Sequence, residues 1–364
     1  MFLEVKDLNV DLGEFHLKSI NLKIEKNEYM VIIGPTGSGK SVLLETIAGF
    51  YKQNSGQVFL EGRDISNLEA EKRGISIVYQ DYVLFPNMNV FENIAYGLKK
   101  KIKDKGIINS KVFEIAELLK INHLLDRDPE TLSGGEKQRT AIARSLIVEP
   151  NLLLMDEPFS AVDIETHAIL TTLIKNVISN YQTTVIHVTH NFDDVWNLAE
   201  SVAVMKDGKI LQQGIVNEVF SKPSHKFVAE FVGVQNVFRG KVIETKEDLT
   251  TVMLEDGLLL RSVDGDLKRD DEVLVAIRPE NIIISNETFV SSIRNQLQGT
   301  VEEIIKIGPR IWVGVQVNKT IFKGMITPSS LDILGIENGK KVYVSFKSLN
   351  VKIIDSHEAY HSII

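Results

Sequence analysis

Five short apolar runs frame the first two thirds of the chain: Tyr29–Ile33 (YMVII), Ile75–Tyr79 (ISIVY), Leu152–Met155 (LLLM), Thr184–Thr189 (TVIHVT) and Val202–Met205 (VAVM). Each is rich in β-branched or aliphatic residues and bounded by polar or glycine-containing segments, so each predicts a buried strand. Helix-forming runs lie between them. They cover Val42–Ala48, Val90–Leu125 with apolar Phe113, Ile115, Leu118, Leu119 and Ile121, an alanine-rich stretch ending at Leu146, and Ile164–Asn180. Strands alternating with helices predict an α/β body. Ahead of it, Leu3–Val5 and Ile20–Ile24 alternate with period two and predict an antiparallel β piece, and Ser55–Gly62 predicts a hairpin strand. After Gly233 the texture changes to short strands and turns.

The residues that end the apolar runs carry the chemistry. Tyr29–Ile33 leads into Gly34, Pro35, Thr36, Gly37, Ser38, Gly39, Lys40 and Ser41, a complete G-x-x-x-x-G-K-[ST] pattern followed by a helix. Strand, glycine loop and helix form a cradle whose backbone N–H groups converge on a phosphate. Lys40 is placed to reach the β- and γ-phosphates and Ser41 to hold Mg2+. Ile75–Tyr79 ends on Gln80, an amide within reach of Mg2+ and an attacking water. LLLM ends on Asp156 and Glu157: the first suits a magnesium shell, the second a general base that orients water toward the γ-phosphate. The fourth run ends on His190, whose neutral ring can donate to that phosphate. Ser133, Gly134 and Gly135, in LSGGE, open a helix and make a second anion nest. Phe15 is the aromatic residue shortly before the phosphate loop and a candidate to stack on adenine.

Bulk composition narrows the class. With 364 residues, 43% hydrophobic and 25% charged, the chain suits two or three globular domains. Its net charge of −8 gives nothing that points to nucleic acid, and the absence of cysteine excludes disulfides, thiolate metal sites and thiol nucleophiles. No apolar run reaches the ~20 residues of a membrane span, so a membrane role is expected to run through a partner. Asp81–Asn89 (DYVLFPNMN) carries Tyr82, Leu84, Phe85 and Met88 on a predicted loop, either as local core or as a surface for a partner helix. Lys99–Lys103 reads as a solvated, flexible stretch.

The order of phosphate loop, Gln80, LSGGEKQR, LLLMDEP, SAVD and His190 resembles the ATP-binding subunit of an ABC transporter over roughly residues 1–233. The resemblance implies a P-loop NTPase fold with a helical subdomain over about 84–150. It implies ATP and Mg2+, and a head-to-tail homodimer in which Ser133, Gly134 and Gly135 of one subunit cap the phosphate held by Lys40 of the other. It also implies docking on two transmembrane permease subunits at the cytoplasmic face of the membrane, served indirectly by an external substrate-binding protein. Two positions depart from the pattern: Val162 stands where leucine is usual beside Asp163, and the usual stacking aromatic falls near Leu12.

Ser221–Ser224 and a helix at Lys226–Phe231 connect to the last third, residues 234–364. There Asn236–Val242 (NVFRGKV) echoes Asn295–Val301 (NQLQGTV), and Val273–Ile282 echoes Val342–Val351, an internal duplication of tandem or interwoven OB-like β units. The second copy adds Ser292, Arg294, Asn295, Lys347 and Ser348, which suit a tetrahedral dianion. SIRNQLQG and FKSLNV resemble the molybdate/tungstate-binding domain of some importer ATPases. That resemblance implies a molybdate/tungstate importer ATPase. Transport itself has no use for an anion pocket on this subunit, so the pocket suggests feedback by oxyanion bound in one chain or between two. Importers of sugars, polyamines or other anions, and a non-transport ABC ATPase, are the alternatives.

Overall fold

In a computed structural model, the described residues are 1–355 except 161, 163, 222, 247–248, 264–266 and 308–309. Asp163 therefore lies outside them. The chain divides into two compact units, Met1–Asn217 and Glu218–Ile364, so the expected boundary at Gly233 falls inside the second.

The first unit begins with β1 (Leu3–Asp11), β2 (His16–Ile24), β3 (Tyr29–Ile33), α1 (Lys40–Ala48), β4 (Ser55–Leu60), β5 (Arg63–Asp64) and β6 (Ile75–Val78). It continues with α2 (Val90–Lys101), α3 (Lys105–Leu118), α4 (Gly134–Leu146), β7 (Leu152–Asp156), α5 (Ile164–Tyr181), β8 (Thr184–Thr189), α6 (Phe192–Leu198), β9 (Ser201–Lys206) and β10 (Lys209–Ile215). A four-stranded sheet of order β2-β1-β4-β5 and a six-stranded sheet of order β10-β9-β3-β8-β7-β6 enclose a core with α1. Ile32, Leu154 and Ile186 in that core are fully buried, each worth about 1.5–3 kcal/mol of apolar transfer.

Strands β3, β9, β8, β7 and β6 run parallel, and their register decides where the chemistry goes. Ile33 lies opposite Thr189, Val188 opposite Asp156, and Met155 opposite Val78. The loop after β3, His190, the Asp156–Glu157 pair and the turn holding Gln80 therefore all emerge from the carboxyl edge of one sheet, the usual ligand edge of such sheets.

The helical run expected from Val90 to Leu125 is broken. Lys101 ends α2, Ile102 is extended, and Asp104 starts α3 by accepting from the N–H groups of Gly106 and Ile107. The lysine run is likewise ordered helix rather than loose chain: Lys99–Lys101 form the last turn of α2, where cations suit the helix dipole, and Lys101 reaches the Val148 carbonyl.

α7 (Val216–Ser221) spans the junction between the units. The second unit holds α8 (Lys226–Phe231), β11 (Asn236–Lys246), β12 (Leu249–Leu254), β13 (Leu259–Ser262), β14 (Glu272–Ile277), β15 (Ile283–Ser285), β16 (Asn295–Ile307), β17 (Arg310–Val317), β18 (Thr320–Ile326), α9 (Pro328–Leu334), β19 (Lys341–Phe346) and β20 (Val351–Asp355). All its strand pairs are antiparallel, in two five-stranded sheets of order β13-β12-β11-β14-β20 and β18-β17-β16-β19-β15. The orders match element for element, with one exchange. β15 follows β14 in sequence but pairs with β19, while β20 follows β19 but pairs with β14. The two sheets share one core around Phe322, Phe346, Val275 and Val344.

A candidate ATP site and a polar cluster in the second unit

The phosphate loop is shaped by close backbone approach. A Cβ on Gly34 would lie 2.2 Å from the Met205 carbonyl oxygen, so only glycine fits beside β9. Gly39 sits at φ 99°, in the left-handed region, and a Cβ there would meet the Phe15 ring at 2.4 Å. Ser38 accepts a backbone bond from Gly208 in the β9–β10 turn, which props the loop from behind. Lys40 folds back over its own loop, donating to the carbonyls of Gly34 (2.9 Å) and Pro35 (3.0 Å). Burial pushes its ammonium pKa down, against the opposing pull of Glu157 and Asp156. A phosphate offers that buried cation a better counter-charge than two carbonyl dipoles. Phe15, half-buried, packs on the core and on Gly39.

Asp156 ends β7 within hydrogen-bond reach of the Ser41 hydroxyl; burial raises its pKa and the Ser41 bond opposes this. The next residue, Glu157, stands at φ 44°, costly for a non-glycine residue and held by its N–H bond to the Val188 carbonyl. Its Oε2 lies 2.9 Å from Nδ1 of the exposed His190. The His190 turn is braced from below: Thr189 Oγ1 donates to Asp194 Oδ2 (2.7 Å) and accepts from the Asn191 N–H, and His167 Nε2 lies 2.7 Å from Asp194 Oδ1. A cavity of about 410 Å³ opens between Glu157, Phe159, His167 and His190. Gln80 is exposed in the turn after β6.

Ser133 caps α4. Its hydroxyl and N–H both donate to Glu136 Oε2 at 2.8 Å, and its Oγ accepts from the Glu136 N–H. With Gly134, Gly135 and Arg139 it lines a separate cavity of about 420 Å³ that no phosphate-loop residue borders. Among the described residues, no three acidic, histidine or cysteine groups are grouped to hold a metal. Ser41 and Asp156 are hard oxygen donors already in mutual contact, which fits a Mg2+ bound chiefly by phosphate and water.

In the second unit the β16–β19 register pairs Asn295 with Phe346. Arg294 and Lys347 therefore leave the sheet at the same end, both exposed, with Ser292 exposed and Ser348 buried nearby in sequence. The Ser348 hydroxyl has no hydrogen-bond partner, nor has the buried Ser345 hydroxyl on β19. At the echoing positions of the first copy stand Pro279 and Ala276, which leave no such orphan. The Asn295 amide, expected among the oxyanion donors, is spent on the fold. It accepts from the Arg261 N–H (2.8 Å) and donates to the carbonyls of Arg261 (3.0 Å) and Phe346 (3.5 Å). Asn236 does the same for the other sheet, bonding both backbone groups of Lys323 and the Ile277 carbonyl.

The geometry thus brings the phosphate loop, Gln80, Asp156, Glu157 and His190 to one sheet edge. The ABC transporter family profile matches residues 17–160, and the TOBE domain profile matches residues 291–353. The molybdate/tungstate import ATP-binding protein of Pyrococcus abyssi is 41% identical over 96% of this chain and 99% of its own length. The chain belongs to the ABC transporter ATP-binding family. The spermidine/putrescine import ATP-binding protein of Thermotoga maritima is also similar to this ABC ATPase, 38% identical over 84% of each chain. Among solved structures, a dimeric ATP-binding cassette in a post-hydrolysis state with ADP and Pi covers 59% of this chain and 98% of its own, at TM-score 0.53 and 28% identity. A Clostridium perfringens protein that is part of an ABC transporter complex covers 64% of this chain and 95% of its own, at TM-score 0.56 and 30% identity. The ABC ATPase hydrolyses ATP to drive transport, and its C-terminal unit is OB-like and all-β. The His167–Asp194 brace and the Asn236 amide lie outside the motifs legible in the sequence. Only Asn236 left a mark in the sequence, as the first residue of an echoed segment.

Proposed function

We propose that this chain is the ATP-hydrolysing subunit of a molybdate/tungstate importer, peripheral to the cytoplasmic face of the membrane, and that oxyanion bound to its second unit inhibits it. The full-length likeness to the Pyrococcus abyssi protein carries the importer reading. The orphan Ser348 hydroxyl, in the residue after Lys347 and at the sheet end where Arg294 also emerges, carries the regulatory one. Among the described residues no helix is long and apolar enough to cross a membrane, so the permease partners supply the path.

The loop N–H groups of 34–39 and Lys40 bind the phosphates, Lys40 exchanging its two carbonyl partners for phosphate oxygen. Ser41, Gln80 and Asp156 would hold Mg2+, which neutralises phosphate charge when bound. Glu157 accepts the proton of the attacking water. His190 is the γ-phosphate sensor, and its swing from Glu157 toward the phosphate frees the carboxylate. Ser133, Gly134 and Gly135 complete the site from a second copy; the dimeric cassette among the structural relatives supports this arrangement. The apolar segment 81–89 faces the permease.

In the second unit Ser292, Arg294, Lys347 and Ser348 take a tetrahedral dianion by charge-assisted bonds. Binding in an open state keeps the Ser133 cap away from the ATP. A tenfold preference for that state supplies only about 1.4 kcal/mol, so firm inhibition needs a larger ratio or two ligands per dimer. Calorimetry of the whole chain with tungstate, molybdate, sulfate, phosphate and spermidine tests the site. Tungstate and molybdate should bind in the micromolar range or tighter, and binding should vanish in Arg294→Ala. Preferential spermidine binding would move the chain to the polyamine importers.

A further inference from the structure

Between β6 and α2 the backbone does something costly. Tyr82 and Val83 occupy the left-handed region in succession, at φ 59° and 39°. Valine is β-branched and is rarely found there. The turn begins just after Gln80, with the Tyr82 N–H bonded to the Tyr79 carbonyl. One side chain binds this pair directly, and a second fixes the segment that follows it.

From one side comes Arg144 on α4. Its Nη1 donates to the Val83 carbonyl (2.9 Å) and its Nη2 to the Tyr82 carbonyl (3.2 Å). Its guanidinium carbon lies 4.8 Å from the Phe85 ring centre, and that ring packs on Tyr96 of α2 at 4.5 Å. From the other side comes Asn93 of α2, fully buried, which grips Phe85 N–H and the carbonyls of Phe85, Met88 and Asn89. Among the described residues no carboxylate pairs with Arg144, and burial lowers its pKa. A cation withdrawn from water without a counter-charge is unfavourable unless fixed dipoles and a ring face offset the loss. Both strained carbonyls face this one guanidinium.

The helix that carries Arg144 starts at the Ser133–Gly135 cap, and the turn it grips starts at Gln80. We propose that Arg144 is a positioning residue for ATP hydrolysis: its forked grip on the Tyr82 and Val83 carbonyls ties the placement of Gln80 to that of α4. When α4 seats its cap on the partner's nucleotide, the same rigid helix fixes the turn that presents Gln80 to the metal and water. The inference rests on the ATPase reading above and adds the link between its two halves.

The test uses the full-length chain in a Mg2+- and ATP-dependent hydrolysis assay, with ATP affinity measured by calorimetry in a Glu157→Gln background. Arg144→Lys keeps the charge but loses the planar fork. It should lower kcat about tenfold, equivalent to about 1.4 kcal/mol at the transition state. ATP affinity should stay within about twofold, while the Mg2+ concentration for half-maximal rate rises several-fold. Val83→Gly, which takes positive φ without steric cost, should restore much of that kcat when added to Arg144→Lys. A merely structural role would lower the melting temperature and give no rescue. If Arg144→Lys does not fold, Phe85→Leu, which removes the ring and leaves both carbonyl bonds, should give the same split at smaller size. Unchanged kcat in the variant that folds, or loss of ATP affinity in parallel with kcat, overturns the positioning role. Full turnover in Glu157→Gln alone would overturn the assignment of the base, and with it this inference; an inactive Glu157→Gln beside a fully active Arg144→Lys overturns the inference alone.

Discussion

Asn295 offers a sharp test because two readings of it predict opposite results. If its amide is a strut, Asn295→Ala removes the bonds to the Arg261 N–H, the Arg261 carbonyl and, at 3.5 Å, the Phe346 carbonyl. At about 1 kcal/mol net for each of the two good bonds and less for the third, the loss is about 2–3 kcal/mol. Asn236→Ala, which removes bonds of 2.6, 2.9 and 3.1 Å, should cost about the same. Trp312 on β17 reports the second unit by fluorescence, and Trp196→Phe removes the other indole of the chain. With a urea dependence of about 2 kcal/mol per molar, either substitution should lower the midpoint of the Trp312 transition by about 1 M. Ser292→Ala and Lys347→Ala should leave it unmoved. An Asn295→Ala chain with an unchanged midpoint and abolished tungstate binding would refute the strut and return Asn295 to the ligand set.

Glu157→Gln should keep ATP binding and lower turnover by 10²- to 10⁴-fold, the usual range for a general base, while accumulating an ATP-bound dimer visible by light scattering. Lys40→Ala should weaken ATP binding itself, read by calorimetry. Charge at the half-buried Phe85 (Phe85→Glu) should release the subunit from permease-containing membranes in a flotation assay, while the free chain keeps its ATP affinity and shows the reduced turnover expected of Phe85→Leu. His187 is fully enclosed, and burial pulls its pKa to about 3, so below its usual pKa near 6.5 the unfolded chain binds a proton that the folded chain does not. The stability of the first unit should therefore fall as pH drops from about 6.5, approaching about 1.4 kcal/mol per pH unit. Asp194, raised by burial, offsets part of this at the acid end. His187→Gln should flatten the slope in urea titrations between pH 6.5 and 5.

What could be read from the chain was what a single segment encodes. The run YMVII followed by GPTGSGKS specifies strand, loop and helix within a few residues, and the polar residue after each apolar run falls where a parallel sheet places ligands. What escaped was set by partners distant in sequence. Nothing near Arg144 foretells its grip on Tyr82 and Val83, some sixty residues earlier. Nothing near Asn295 foretells that Arg261 will claim its amide. The break at Ile102 escaped because lysines and isoleucines continue the helical pattern across it, and only the cap at Asp104 marks the new start. In the second unit the echoed segments disclosed two copies but not which sheet receives the last strand of each.

The exchange of β15 and β20 also sets a timetable for synthesis. Sheet order β13-β12-β11-β14-β20 cannot close until Val351–Asp355 has been made, although β14 ends at Ile277. At about ten residues per second the roughly seventy intervening residues keep the edge of β14 waiting about seven seconds, long after the nucleotide-binding unit has left the ribosome. A chain interrupted before Val351 would have its ATP machinery finished and one sheet still open along the unpaired edge of β14. Such an edge invites pairing with the same edge of another nascent chain.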